Sequence, residues 1–471
     1  MVFSSTVFLF IFLPVVYILY IICKNIIVRN IILIAASLVF YAYGEPYAVL
    51  LMIVSIIVNY FFGLGVTGKY KKPVLVISVI FNVLMLFIFK YLCFTMRLAN
   101  DILPFAVPVF DIALPIGISF FTFQAMSYVI DVYRQPQLQE KNILNIFLYI
   151  SLFPQLIAGP IIRFEDLAEQ INKRTISLDK TVEGIRRFIF GLSKKMLIAN
   201  TMGRIADAAF GAEIHTLSAA AVWIGAASYM MQIYYDFSGY SDMAVGLGKM
   251  FGFDFPENFR YPFATSSMQD FWHRWNISVS TWFREYVYFP LGGNRKGKLR
   301  TNINRFIVFF LTGLWHGANL TFVAWGLIHG CFLMLENYNI MGFVKSKKPV
   351  LQFVSHIYCL LVIMFTFVIF RADSIGQALE YIARMFTGFG GNFTDSSLVY
   401  SQIFTPFGII TAIFAVIFSM PAAEKIRKLF AVRKKERLCE YLSCAVSLVL
   451  YGMCIMSLMT ASYNPFIYFR F

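Results

Sequence analysis

Long apolar runs separated by short polar or basic loops make up the hydropathy pattern of the whole chain. Several further apolar segments are shorter or interrupted by Gly and Pro, which favours kinked or re-entrant helices. The pattern predicts an all-α, polytopic integral membrane protein with roughly 11 or more tilted or re-entrant helices. The runs that predict spanning helices are 5–23, 29–43, 47–66, 73–93, 144–162, 217–234, 320–335, 350–371, 402–420 and 442–461.

The run at 5–23 has no basic segment before it and no small-residue cleavage site after it, so we expect a first helix here and not a signal peptide. No repeat, low-complexity block or appended soluble domain stands out, which predicts one membrane domain over 1–471. The cysteines form no CxxC pair and resemble buried small apolar residues. Without a metal-ligand pattern such as H-E-x-x-H, we expect no metal site and no bound cofactor.

The composition agrees with a membrane protein, because 59% of the residues are hydrophobic and only 14% are charged. The formal charge of +15 raises the question of nucleic acid, but the basic residues gather in short loops and not on an amphipathic face. We therefore expect no nucleic-acid partner. Under the positive-inside rule these loops face the cytoplasm, which predicts that both termini lie outside it. The basic loops are 69–72, 294–300, 345–348 and 424–437.

Polar side chains inside apolar segments are informative, because a membrane makes their burial costly. The segment 232–253 carries Asp236, Tyr240 and Asp242, and the segment 115–134 has a similar mixture of apolar and polar residues. Small polar residues can simply join two helices. Two carboxylates are harder to explain in that way, and they favour a cavity that contacts a substrate.

The segment 271–297 is rich in tryptophan and includes His273, Trp275, Asn276 and Arg284 shortly before a basic loop. Such a mixture predicts a short amphipathic or re-entrant element at the cytoplasmic interface with membrane lipid. It is compatible with a simple interfacial anchor. The cations beside aromatic rings are equally compatible with an anionic, nucleotide-bearing donor, and we expect Trp275 and Arg284 to line that site.

Two histidines, His316 and His329, interrupt the apolar segment 311–330, and glycines lie beside each of them. Imidazole can remove a proton from a hydroxyl near neutral pH, and glycine permits the irregular helix that a buried cavity needs. On one unbroken helix the two rings would lie roughly 20 Å apart on different faces, so they would not form a dyad.

Three motifs, "QIYYDFSGYSDMAVG", "FWHRWNISVSTWFREYVYFPLGGNR" and "GLWHGANLTFVAWGLIHG", together resemble the bacterial membrane-bound O-acyltransferases. The resemblance is to the group that contains the membrane subunits of alginate O-acetyltransferase, peptidoglycan O-acetyltransferase and teichoic-acid D-alanyltransferase. It extends from "PIGISFFTFQ" to the last residue. The family implies tilted and broken helices around a central funnel, which the thioester donor enters from the cytoplasm.

The resemblance also implies roles for individual residues. His316 corresponds to the principal catalytic histidine. Asn276 occupies the second active-site position, where many bacterial relatives carry His; an amide there can orient the thioester carbonyl or stabilise an oxyanion. His273 is an alternative proton acceptor near that position. His329 matches a recurring GLxHG motif, which implies an orienting or lining role, and Asp236 and Tyr240 are expected to line the substrate site.

The chain ends in an F-x-Y-F motif at 466–469, and the resemblance implies that Tyr468 carries the acyl group on the outer side. The implied donor is acetyl-CoA or an acylated carrier protein. The implied partners outside are an SGNH-type acetyltransferase and a polysaccharide acceptor, with the protein itself in the bacterial cytoplasmic membrane. Two alternatives remain at this point: D-alanyl transfer from a carrier protein, and a proton-coupled transporter that uses Asp236 and Asp242.

Overall fold

The computed structural model describes residues 1–110, 112–390, 394–432, 436–460, 463–464 and 467. Within those residues the regular structure is helical, with no β-strand, so the predicted all-α class is confirmed. The chain divides into two compact units. One comprises Met1–Phe188 with Tyr240–Pro256, and the other comprises Ile189–Gly239 with Glu257–Phe471. The prediction of a single membrane domain stays a prediction.

Several helices are long and apolar enough to cross a membrane, as the hydropathy pattern predicts. Two helices that meet at an angle of 76°, Ser396–Ile403 and Pro406–Ser419, make one further span if they are taken together. Pro406 stands at the first position of the second helix, where its missing N–H costs nothing. The helices that meet the length and composition criteria singly are Ala48–Gly65, Lys71–Asn100, Leu320–Asn337, Pro349–Arg371 and Arg437–Thr460.

The first unit packs its helices around buried aromatic rings and a few paired polar groups. Asn59 of α3 and Asn82 of α4 exchange side-chain hydrogen bonds of 3.2 and 2.8 Å, which satisfies both buried amides. The helices of this unit are α1 (Leu13–Ile22), α2 (Ile26–Ala42), α3 (Ala48–Gly65), α4 (Lys71–Leu86), α5 (Leu92–Ile102), α6 (Ile118–Arg134), α7 (Ile143–Ser151), α8 (Phe153–Leu156), α9 (Phe164–Asn172) and most of α10 (Leu178–Ser193).

The expected spanning helix over 144–162 is wrong. Helix α7 ends at Ser151, and Leu152 adopts a non-helical ψ of 112° before the short helix α8. Pro154, in the first turn of α8, has no N–H with which to continue the hydrogen bonding of α7. All of 148–162 is nevertheless buried, so the segment is an irregular element within the unit.

The second unit contains the remaining helices, and α12 continues from it into the first unit. A π-helical turn, Lys194–Ala199, joins α10 to α11, and another, Arg284–Tyr288, follows α14. Such turns are frequent at functional sites. The helices are α11 (Asn200–Phe210), α12 (Ala219–Met250), α13 (Met268–Arg274), α14 (Ile277–Phe283), α15 (Gly297–His316), α16 (Leu320–Asn337), α17 (Pro349–Arg371), α18 (Ile375–Thr387), α19 (Ser396–Ile403), α20 (Pro406–Ser419), α21 (Ala422–Val432) and α22 (Glu436–Thr460).

Helices α15 and α16 form a hairpin whose backbones touch. A β-carbon added at Gly313 would lie 2.5 Å from the carbonyl oxygen of Phe322, and one added at Gly326 would lie 2.3 Å from that of Phe309. Real β-carbons are not found so close to another atom, so only glycine fits at either position. The hairpin is the element that carries both histidines of the motif.

Candidate active site

His316 is the last residue of α15, where the helix stops. Asn319 then caps α16 by accepting a 3.1 Å hydrogen bond from the backbone N–H of Thr321. The imidazole is 9% exposed and is surrounded by aromatic rings, with ring centres 4.9 Å from Trp325 and 5.1 Å from Phe370. The helix end thus presents His316 to an apolar wall.

The break between α15 and α16 brings the two histidines of the motif onto one indole. Trp325 has ring-centre distances of 4.9 Å to His316 and 4.8 Å to His329. The separation expected for one unbroken helix therefore does not apply. His329 is fully buried, and neither of its ring nitrogens has a hydrogen-bond partner among the described residues.

Helix α13 supplies the next layer of this aromatic wall. The indole of Trp272 lies 5.2 Å from the imidazole of His329, measured between ring centres. The start of α13 is held by Glu336 of α16, whose carboxylate accepts hydrogen bonds of 2.7 and 3.1 Å from the N–H groups of Met268 and Gln269. A carboxylate at a helix N-terminus satisfies free N–H groups and favours the helix dipole.

Asn276 stands between α13 and α14 in the left-handed backbone region, with φ of 43°. Asn258 holds the following turn, because its backbone oxygen accepts from the N–H of Ile277 at 3.0 Å and its side chain accepts from that of Ser278 at 2.9 Å. Asn tolerates this conformation better than most residues. The Oδ1 atom of Asn276 is buried and has no hydrogen-bond partner within the part of the chain that the structure describes.

The other residues expected near the donor have different surroundings. Trp275 is buried among rings, with centres 5.2 Å from Phe259 and 5.4 Å from Phe367. His273 and Arg284 are exposed, and the Arg284 guanidinium lies 3.6 Å from the carboxylate of its neighbour in sequence. An exposed His273 shares no environment with the buried Asn276. The basic loop 294–300 is exposed throughout.

Asp236 of α12 carries a buried ion pair. Its Oδ1 lies 2.6 Å from Nζ of Lys195, and both side chains are almost completely inaccessible. Lys195 belongs to the π-helical turn Lys194–Ala199. Tyr240 follows one helical turn after Asp236 but belongs to the first unit, where its ring stacks on Phe3 at 4.6 Å.

The C-terminal segment reaches buried carboxylates of the second unit. The backbone N–H of Ile467 donates a 2.8 Å hydrogen bond to Oδ2 of Asp236, and the phenol of Tyr463 donates a 2.6 Å hydrogen bond to Asp207. Asp207 also forms a 2.9 Å ion pair with Arg371, the residue that follows Phe370. The F-x-Y-F residues Phe466, Tyr468 and Phe469 lie outside the described residues.

Lys195, Asp207 and Arg371 were not expected from the sequence to take part in a site. Each is a charged residue in or beside an apolar helix, which is the available signal. Their partners are far away along the chain, so hydropathy alone could not pair them. Among the described residues no three His, Cys, Asp or Glu side chains converge as a metal site requires.

Comparison with known proteins identifies the family. The model of the membrane-bound O-acyltransferase family matches residues 117–376. A probable alginate O-acetylase of Pseudomonas putida is 38% identical over all of both chains. A probable alginate O-acetylase of Pseudomonas aeruginosa is 42% identical over 82% of this chain and 75% of its own. A peptidoglycan O-acetyltransferase of Helicobacter pylori is 34% identical over 81% of this chain and 79% of its own. The chain therefore belongs to the membrane-bound O-acyltransferase family and is an acyltransferase of the membrane.

Proposed function

We propose that the protein takes an acetyl group from cytoplasmic acetyl-CoA, holds it as an ester of Tyr468, and passes it on for O-acetylation of an extracytoplasmic polysaccharide. One observation carries the proposal. The C-terminal segment is bonded through Tyr463 and Ile467 to carboxylates of the unit that also contains His316 and Asn276. Tyr468 is the next residue after Ile467.

In the first transfer, His316 accepts the phenolic proton of Tyr468, and the phenol oxygen forms a bond to the thioester carbonyl carbon. The C–S bond then breaks, and the leaving thiolate takes a proton to become free coenzyme A. The products are an acetyl ester of Tyr468 and a thiol. A buried imidazole that packs on aromatic rings is shielded from water, which limits hydrolysis of the thioester and of the ester.

Asn276 serves as the group that stabilises negative charge on the carbonyl oxygen in this scheme. Its buried side chain sits in a turn that Asn258 fixes through two hydrogen bonds, so the amide is oriented before substrate binds. An amide has no proton-accepting role near neutral pH. The two residues therefore divide the work, with His316 as base and Asn276 as donor to the oxyanion.

In the second transfer, a hydroxyl attacks the carbonyl carbon of the tyrosyl ester, and the phenol of Tyr468 leaves with a proton. A phenol is a better leaving group than an alkyl alcohol, so transfer to a sugar hydroxyl is downhill. The acceptor is a partner of the SGNH acetyltransferase type, which then acetylates the polysaccharide. The names of the alginate and peptidoglycan relatives support a polysaccharide as the final acceptor, and charge topology supports an outer C-terminus.

The transporter alternative depends on Asp236 and Asp242 as carriers of protons or ions. Both carboxylates are instead paired with cations, Asp236 with Lys195 at 2.6 Å and Asp242 with Arg187 at 2.5 Å. Such pairs favour the ionised carboxylate and oppose proton uptake. The alternative also gives no role to His316 or Asn276.

The donor is tested by offering purified protein isotope-labelled acetyl-CoA in one reaction and a labelled D-alanyl carrier protein in another. We expect label from acetyl-CoA on the wild-type chain and no label on His316→Ala, with the exposed His215→Ala as a control that loads normally. Loading from the carrier protein alone would contradict the proposed donor. Polymer acetylation that persists in cells expressing only His316→Ala would contradict the enzymatic role.

A further inference from the structure

We infer that Asp236, held by Lys195, is a positioning residue that fixes the C-terminal segment through the backbone N–H of Ile467. The inference rests on the proposed function, since it explains how the relay tyrosine is delivered to the site. Oδ1 of Asp236 faces Lys195 at 2.6 Å, and Oδ2 accepts from Ile467 at 2.8 Å. One carboxylate therefore joins the helical core to the end of the chain.

The surroundings make this contact strong and directional. The side chains of Asp236 and Lys195 are 2% and 4% exposed, and Ile467 is 5% exposed. A hydrogen bond to an ionised acceptor is stronger than a neutral one, and a low-dielectric interior strengthens it further. Because the carboxylate accepts from a backbone N–H, it fixes the course of the main chain and not merely one side chain.

Close helix packing sets the position of the carboxylate. A β-carbon at Gly239 would lie 2.8 Å from the carbonyl oxygen of Gly191 and 3.2 Å from the backbone nitrogen of Lys195. Glycine therefore allows α12 to approach the segment that carries Lys195. The ion pair forms at this approach, and it orients the second oxygen of Asp236 towards Ile467.

A second anchor holds the segment a few residues earlier. Asp207 accepts from the phenol of Tyr463 and pairs with Arg371, while Nδ2 of Asn200 lies 3.4 Å from the backbone oxygen of Tyr463. A β-carbon added at Gly203 would lie 2.9 Å from the same phenol oxygen. Two anchors flank the turn that begins at Asn464, so the direction of the chain at Ile467 is constrained at both ends.

This arrangement also connects the tail anchor with the catalytic histidine. Phe370 contacts the ring of His316 at 5.1 Å, and the adjacent Arg371 holds the Asp207 carboxylate that binds Tyr463. Consecutive Cα atoms lie about 3.8 Å apart, so an anchor on Ile467 restricts how far the next residue can travel. Loss of the anchor should slow acyl loading without weakening donor binding.

The test compares Ile467→Pro with Ile467→Ala in the full-length protein. Both variants lose the isoleucine side chain, but only proline lacks the N–H that donates to Asp236. The buried pair of Asp236 and Lys195 stays intact in both, which avoids the unfolding that an unpaired buried charge would cause. Asp236→Asn is the third variant, and Asp242→Asn is its control because it removes a carboxylate from the same helix that pairs with Arg187 instead.

Two measurements are made on each variant. Hydrogen exchange of the C-terminal peptide reports whether the segment is held, and the rate of acyl loading against acetyl-CoA concentration separates the maximum rate from the half-saturating concentration. For Ile467→Pro and Asp236→Asn we expect peptide protection and maximum rate to fall at least about tenfold relative to their controls. The half-saturating concentration should stay within about twofold, since donor binding is unchanged.

The outcomes distinguish the two proposals. Protection and rate that are equal in Ile467→Pro and Ile467→Ala would overturn the positioning role, whatever the chemistry of the relay. Protection that falls while the wild type shows no acyl group on Tyr468 would support the anchor and refute the relay. A rise in the half-saturating concentration with an unchanged maximum rate would assign Asp236 to donor binding and overturn the inference.

Discussion

The imidazole of His316 packs edge-on against the indole of Trp325, with ring centres 4.9 Å apart and planes at 87°. The two residues lie on successive helices, α15 and α16, so the position of the proposed base depends on how closely the hairpin packs. His329 contacts the same indole at 4.8 Å. The hairpin therefore sets the geometry of both histidines.

Gly326→Ala tests that dependence. The added methyl would lie 2.3 Å from the carbonyl oxygen of Phe309 and would separate α15 from α16. We expect a loss of stability of about 1–3 kcal/mol and slower acyl loading, because Trp325 moves away from His316. Thermal unfolding and loading rates check both effects.

The matched control is Gly330→Ala, one turn further along α16. Its methyl would lie 3.4 Å from Cβ of Phe309, which is ordinary contact. This variant should keep both stability and rate. Equal behaviour of the two variants would argue against tight packing of the hairpin as the determinant of the site.

His329→Leu should stabilise the protein or leave its stability unchanged, yet slow the reaction at least about tenfold. The imidazole is fully buried without a hydrogen-bond partner among the described residues, and an apolar side chain removes the cost of that burial. Thermal unfolding midpoints and loading rates, measured on the same preparation, separate the two effects. A stable variant with the wild-type rate would reduce His329 to a packing residue.

Asn276→Gly separates the backbone role of Asn276 from its chemical role. Glycine adopts the φ of 43° without strain, so folding should be preserved, but the amide is lost. We expect loading to fall about 100-fold, as for the loss of one oxyanion donor. Asn276→Ala should lose the same activity and also become less stable, because a β-carbon strains this conformation.

The measurement for this pair is the loading rate at saturating acetyl-CoA beside the unfolding midpoint. If Asn276 only shapes the turn before α14, the glycine variant would retain the rate and the alanine variant would not. That result would remove Asn276 from the reaction.

Much of the fold follows from hydropathy, because membrane spans must be long and apolar. The predicted runs 47–66 and 350–371 correspond to Ala48–Gly65 and Pro349–Arg371 within a few residues. The run 144–162 failed because length and hydropathy do not register a non-helical Leu152 or the missing N–H of Pro154. Its buried irregular backbone finds partners in the folded unit, which a sequence window does not contain.

The candidate site was predictable only in part. Polarity within apolar segments pointed to His316 and Asp236, and motif resemblance added Asn276 and Tyr468. The link between Asp236 and Ile467 joins positions 231 apart, and its donor is a backbone N–H that every residue except proline possesses. No residue type at 467 signals such a bond, so it could be found only in the folded chain.

The central claim is that Tyr468 carries the acyl group, and peptide-mapped intact-protein mass spectrometry after incubation with acetyl-CoA tests it most directly. The proposed relay predicts one acetyl adduct on the wild-type chain, located at Tyr468, and none on Tyr468→Phe or His316→Ala. An adduct that persists on Tyr468→Phe, or that maps to another residue of the wild type, would contradict it.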